Sequence, residues 1–256
     1  YYSFPAVLDV DRYTIDGQQT DAIVAAREID LNGVPDPSWN NIHTVYTHGY
    51  AMVAAYGNRR QASGEPSWIV GDIPPVGNLA QHRAGIYYGQ LSTDYAVVGA
   101  PEGTEPWELE TPGGSDGGGA QKTTYSGKGG VSIRNPIVRA LYAMRFTDVN
   151  MLLSNRVNEE SKILYDRQPS ERVKKVAPWL TVDSDPYPAI VDGGVKWIID
   201  GYTTSNSYPN SQRVDLKQAT SDSSTARRGE AEAENLNYIR NSVKAVVYAY
   251  DGTVDL

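Results

Sequence analysis

A chain of 256 residues with 40% hydrophobic and 21% charged residues is long enough to bury a core of its own, as one large domain or two small ones. The net charge of −8 opposes nucleic acid and anionic lipid, and the absence of cysteine excludes disulfides, thiol catalysis and thiolate metal sites. No run of about 18 apolar residues is present, so no segment reads as a membrane-spanning helix.

The 24 Gly and 15 Pro predict many turns and few long helices. Three Asp-Gly pairs stand between β-rich runs, where a type I′ turn needs positive φ at both central residues. Asp16-Gly17 is expected to join Asp11–Ile15 to Ala22–Glu28. Further strands are expected over Ile42–Ala54, Ile86–Gln90 and Tyr95–Val98. Pro101–Lys128 holds Pro112-Gly113-Gly114 and Gly117-Gly118-Gly119 and is expected to be a mobile loop.

A helix should open at Asn135 as N-cap with Pro136 at its first position. Ile137, Leu141 and Met144 form its apolar stripe, and it is expected to run, bent near Thr147, to Leu153. Ser170 is expected to cap a short helix carrying Val173 and Val176 that Pro178 ends. Asp192-Gly193 should join Ala189–Val191 to Val195–Ile199. Residues 216–234, rich in Ser, Asp, Ala and Glu, read as a second mobile excursion. A helical turn or two is expected near Asn235–Asn241, before a hairpin that Asp251-Gly252 turns between Ala245–Tyr250 and Thr253–Leu256. Strands and helices mix without βαβ alternation, which predicts an α+β fold with a largely antiparallel sheet. Both ends lie in strand-like text and are expected to be cuts within a longer protein.

Candidate chemistry is sparse. The histidines are His43, His48 and His82. On a strand, the spacing of five puts His43 and His48 on opposite faces, so they do not form a local metal site. His48 could serve as a general base, oriented by Tyr46 or Tyr50. Asp183-Ser184-Asp185 resembles the start of an oxygen-rich calcium loop, but Pro188 at position six excludes an EF-hand. Asp183 and Asp185 are therefore candidates for a lone calcium site, or for a turn in which they bond local backbone N–H groups. Asp200, after Trp197-Ile198-Ile199, could supply a second carboxylate to the same cleft. Gly127-Lys128-Gly129-Gly130 lacks the spacing of a phosphate loop. Tyr outnumbers Phe by 18 to 2, which suits half-exposed binding positions, with Tyr187, Tyr202 and Tyr208 as candidates.

Longer words then fall into order: Tyr46-Thr47-His48-Gly49-Tyr50, Ile86-Tyr87-Tyr88-Gly89, Asp183-Ser184-Asp185-Pro186-Tyr187-Pro188, Trp197-Ile198-Ile199-Asp200-Gly201-Tyr202 and Asn237-Tyr238-Ile239-Arg240-Asn241. Over nearly all 256 residues the chain resembles the Uncharacterised Protein Family 0182 of large bacterial polytopic membrane proteins. The resemblance implies a single extracytoplasmic domain fragment over 1–256, with membrane-spanning segments elsewhere in the full-length protein. It brings no catalytic residues. Where the family tends to have a further Gly after His-Gly-Tyr, this chain has Ala51, which bears on a tight turn there. The expected function is a ligand- or partner-binding module of the cell envelope, contacting its own membrane-spanning segment, an envelope protein or a lipid. The alternative is an envelope hydrolase using His48 with Asp183, Asp185 or Asp200.

Overall fold

The computed structural model describes residues 2–4, 8–79, 81, 83–111, 119–215 and 235–256. His82, the expected excursion over 216–234 and the glycine-rich centre of the 101–128 loop, residues 112–118, lie outside the described residues. The fold is α+β, and its strand ladders are antiparallel.

The first sheet has the order β2 (Asp9–Ile15), β3 (Gln18–Ala26), β6 (Met52–Arg60), β7 (Pro66–Gly71) and β8 (Val76–Gly77). The Asp16-Gly17 turn forms as expected, with φ of 50° and 78° and Ile15 opposite Gln18. The two short strands β1 (Tyr2–Ser3) and β4 (Glu28–Ile29) pair beside it, as do β5 (Gly49–Tyr50) and β9 (Gly85–Ile86).

The second sheet runs β15 (Thr181–Val182), β17 (Gly194–Ser205), β18 (Tyr238–Tyr248) and β19 (Val254–Asp255), with β16 (Tyr187–Val191) also on β17. Asp192 and Gly193, at φ 54° and 71°, turn β16 into β17. At the last hairpin only Gly252 has positive φ, and the Tyr248 N–H donates to the Thr253 carbonyl, so residues 249–252 form a four-residue loop rather than a type I′ turn. The helical turns expected near Asn235–Asn241 do not form. Tyr238 onward pairs with β17, and that ladder outweighs local preference.

The two sheets share one core. Val24, Ala54 and Ile69 from the first pack with Trp197, Ile199, Ala245 and Val247 from the second. Helix α3 (Pro169–Val176) adds Val173. Its start differs from expectation: Pro169 takes the first helical position, and the Ser170 hydroxyl donates to the Asp183 carbonyl inside the helix.

A second hydrophobic cluster lies around β10 (Ala96–Val98), β13 (Val131–Ser132) and β14 (Lys162–Leu164), covered by helices α1 (Pro136–Phe146) and α2 (Asn150–Leu153). Asn135 caps α1 by accepting from the Ile137 N–H at 2.8 Å, and Thr147 in the left-handed region separates the two helices. The apolar stripe faces the other way from expectation. Val138, Tyr142, Ala143 and Phe146 pack inward, whereas Ile137, Leu141 and Met144 are exposed. Within the 101–128 segment, β11 (Glu108–Thr111) and β12 (Gln121–Thr123) form a hairpin.

The expected strand over Ile42–Ala54 is a strand only from Gly49. Residues Asn41–Val45 form a π-helical turn. There the Thr44 hydroxyl donates to the Asn40 carbonyl at 2.6 Å, and Asn41 Nδ2 donates to the Asp36 carbonyl at 2.8 Å. Such local side-chain bonds compete with a strand ladder. Ile86–Gln90 likewise contributes only Ile86 to a strand.

Candidate functional site

His48 sits where the π-helical turn hands over to β5, and it is 1% exposed. Its ring stacks on Tyr87 at 4.2 Å, and its Nδ1 lies 2.9 Å from the Thr47 hydroxyl. Burial, and secondarily the Arg167 charge, push the imidazole down to about 3, so it is neutral at physiological pH. Gly49 beside it is required by close approach: a Cβ there would fall 2.2 Å from the Arg27 carbonyl oxygen. Ala51 then adopts φ 64° between β5 and β6, a left-handed conformation reached without a glycine.

Around His48 the polar groups tie loops together. Arg167, fully buried, donates to the carbonyls of Thr47, Tyr87 at 2.7 Å and Asp94 at 3.1 Å. Glu108 accepts from the Tyr87 hydroxyl at 2.8 Å and from the Gly99 and Tyr125 N–H groups at 3.0 and 3.1 Å. Burial raises its carboxyl above the ordinary range. His43 bonds through Nδ1 to the Tyr95 carbonyl and stacks on the Tyr95 ring at 4.1 Å.

The carboxylates lie on the second sheet and engage other groups. Asp200 pairs with Lys244 and accepts from Asn241 at 2.9 Å. Asp183 accepts from the Tyr202 hydroxyl and from the Asp185 N–H, both at 3.0 Å, and its own N–H donates to the Asp200 carbonyl at 2.8 Å. Lys244 lies 5.8 Å from the Tyr187 ring centroid. The structure thus gathers Asp183, Asp200, Tyr187 and Tyr202 into one patch. Tyr208 stands apart, past the end of β17, stacked on Tyr238 at 5.0 Å. Among the described residues no group of three or more His, Asp or Glu is placed to hold a metal ion, so no third side chain of these types joins Asp183 and Asp185. Asp185 instead acts on Asp9 of β2, whose carboxyl is raised to about 6 by burial and by that neighbouring charge.

A polar pocket of about 250 Å³ is lined by Tyr88, Gly130, Tyr165, Asp166, Arg172 and Lys175. Its cations are already engaged: Lys175 pairs with Asp166, and Arg172 donates to the carbonyls of Gly252 and Asp166.

The larger feature is a groove of about 630 Å³ on the open face of the first sheet. Along β6 the side chains alternate, so Met52 and Ala54 enter the core while Val53 and Ala55 line the groove. Trp68 stands opposite Ala55 in the β6–β7 ladder and is 50% exposed. Ile23, Phe4 and Leu8 complete the apolar lining, and Arg59 and Arg60 lie toward the hairpin tip. Its size falls within the roughly 300–1,000 Å³ of small-molecule sites, and so does its largely apolar character. In the sequence Arg59-Arg60 reads only as an isolated basic pair on a solvated face, and the apolar lining residues do not stand out. The available signal was Met52-Val53-Ala54-Ala55-Tyr56, which is apolar at successive positions and so predicts a strand needing cover on both faces.

Comparison with known proteins agrees with the words noted in the sequence. The chain is 52% identical over its whole length to a UPF0182 protein of Bifidobacterium adolescentis and to one of Bifidobacterium longum, covering 24% of each. It is 48% identical to a UPF0182 protein of Leifsonia xyli, covering 26% of it. The chain therefore spans about a quarter of the length of these curated relatives. No solved structure matches it. The model of the Uncharacterised protein family (UPF0182) matches residues 1–256, and the chain belongs to that family.

Proposed function

We propose that this chain is a ligand-binding module, carried on the extracytoplasmic side of a longer bacterial membrane protein, and that the groove on its first sheet is the binding site. The groove carries this reading. It exposes Trp68, Phe4, Leu8 and Ile23 on a face left open among the described residues, and contiguous exposed apolar surface marks interaction sites. The buried, neutral His48, held by Thr47 and Tyr87, favours binding over hydrolysis. The extracytoplasmic placement, with the protein's own membrane segments, an envelope protein or a lipid as neighbours, is supported by the family resemblance. The relatives are about four times as long, which leaves room for membrane segments outside this chain.

The test of the site is a titration of the purified chain with the neutral probe N-phenyl-1-naphthylamine. Saturable, blue-shifted emission is expected, weakened at least about tenfold in Trp68→Ala with an unchanged circular dichroism spectrum. Absence of saturable binding, or equal binding by the variant, would refute the assignment. For placement, a cysteine put at exposed Tyr208 of the full-length protein should react with an impermeant maleimide in intact cells.

A further inference from the structure

We infer that the groove takes a single-chain anionic amphiphile, a long-chain carboxylate, with its tail against Ile23, Val53 and Trp68 and its head at Arg59 and Arg60. This rests on the groove being the binding site and adds the class of ligand.

Three observations carry it. The first is a reversal of sign. The protein has a net charge of −8, yet two adjacent exposed guanidiniums line this one groove. Neither forms an ion pair among the described residues, where the seven pairs are made by Arg12, Lys122, Arg134, Lys174, Lys175, Lys196 and Lys244. The nearby acids are engaged elsewhere: Asp21 pairs with Arg12 at 2.8 Å, and Glu65, in the same hairpin, meets the Ser63 hydroxyl at 3.4 Å.

The second observation is orientation. Arg59 lies over the Tyr56 ring, 4.7 Å from its centroid, which limits the freedom of the guanidinium beside the groove. A planar guanidinium accepts a carboxylate through two parallel N–H···O bonds, so an arginine pair suits that head group better than a neutral hydroxyl.

The third is polarity along the groove. The register places Ile23 opposite Ala55 and Ala25 opposite Val53 at one end, and Arg60 opposite Pro66 at the other. The lining therefore passes from apolar side chains to cations in one direction along β6. A molecule with one apolar end and one anionic end matches that gradient. A neutral apolar ligand would leave the arginines unused. A nucleotide or sugar would set polar groups against Trp68, Ile23 and Val53, which offer them no hydrogen bonds.

The experiment displaces N-phenyl-1-naphthylamine from the 256-residue chain with dodecanoate and with 1-dodecanol. Dodecanoate should compete at least about tenfold better than the alcohol, a difference of about 1.4 kcal/mol. The double variant Arg59→Gln/Arg60→Gln should lose the preference, acid and alcohol displacing the probe equally when each is scaled to the variant's own probe affinity. High salt should reduce it in the parent protein. Equal displacement by acid and alcohol, or a preference that survives the double variant, would overturn the inference and leave the groove assignment standing. Failure of the neutral probe to bind would instead remove the groove assignment itself.

Discussion

The two-sheet core and the loop-built region around His48 are held together by different forces. The sheets join through apolar contact, with Trp197, Ile199 and Val247 facing Val24, Ala54 and Ile69. The loop region is held by buried polar groups, with Arg167 drawing in the carbonyls of Thr47, Tyr87 and Asp94, and Glu108 drawing in Gly99, Tyr125 and Tyr87. Hydrogen bonds also link the regions: Trp197 Nε1 donates to the Tyr88 carbonyl at 2.8 Å, and the Tyr87 and Tyr88 N–H groups donate to the Ala249 carbonyl, both at 2.9 Å. Apolar contact tolerates adjustment, whereas a buried polar network fails when one member is removed.

The largest effect is therefore expected in the loop region. Arg167→Ala should destabilise the chain by about 3–5 kcal/mol, because it leaves the buried carbonyls of Thr47 and Tyr87, and the part-buried one of Asp94, without this donor. A fall in melting temperature of roughly 10 °C would show it. A fall of less than about 2 °C would break the contrast between the regions.

Acid should act on the two regions with opposite sign. The folded state holds the His48 imidazole down to about 3, below the ordinary 6.5. Its contribution is complete above pH 6.5 and is lost as pH falls from there toward 3, where the unfolded chain binds the extra proton. In a denaturant series from pH 7 to 4, His48→Gln should flatten the stability decline seen in the parent. Asp9 behaves in reverse. Its folded carboxyl is raised to about 6, so ionisation costs stability above that pH and the cost disappears near pH 4. Asp9→Asn should stabilise by about 1 kcal/mol at pH 7, a figure reduced for its half-exposed position, and be neutral at pH 4. A stabilisation independent of pH would show that Asp185 and burial are not the cause.

The smallest effect concerns the left-handed residue between β5 and β6. Ala51 is held at φ 64°, a left-handed conformation that costs an alanine roughly 1 kcal/mol. Ala51→Gly should raise stability by about 0.5–1 kcal/mol, read from the shift in denaturation midpoint. A loss would show that the buried methyl matters more than the backbone.

The same contrast explains what the sequence made legible. Hairpins closed by Asp16-Gly17 and Asp192-Gly193 could be read locally, since the turn chemistry and the flanking alternation agree. Asn135-Pro136 announced α1 for the same reason. The direction of its apolar face could not be read, because Ile137 and Val138 are both apolar and only the position of Tyr95 and Ile163 decides which turns inward. The site was less legible still. Asp183, Asp200, Tyr187 and Tyr202 do meet, yet the two carboxylates are already engaged by the Tyr202 hydroxyl, Asn241 and Lys244. The groove joins residue 4, residue 23 and residues 53–68, and that juxtaposition exists only once the β3–β6–β7 ladders form.

Two open apolar surfaces compete for the role of binding site: the groove, and the exposed ridge of Ile137, Leu141, Met144, Leu152 and Leu153 on α1 and α2. The ridge is exposed helix surface, whereas the groove is concave and flanked by arginines. The measurement that separates them is amide chemical-shift mapping of the isotope-labelled chain during titration with dodecanoate. Saturating shifts at Ile23, Val53, Ala55, Arg59, Arg60 and Trp68, with α1 and α2 unmoved, are the predicted result. Shifts centred on Ile137, Leu141 and Met144, or none at the groove, would contradict the account.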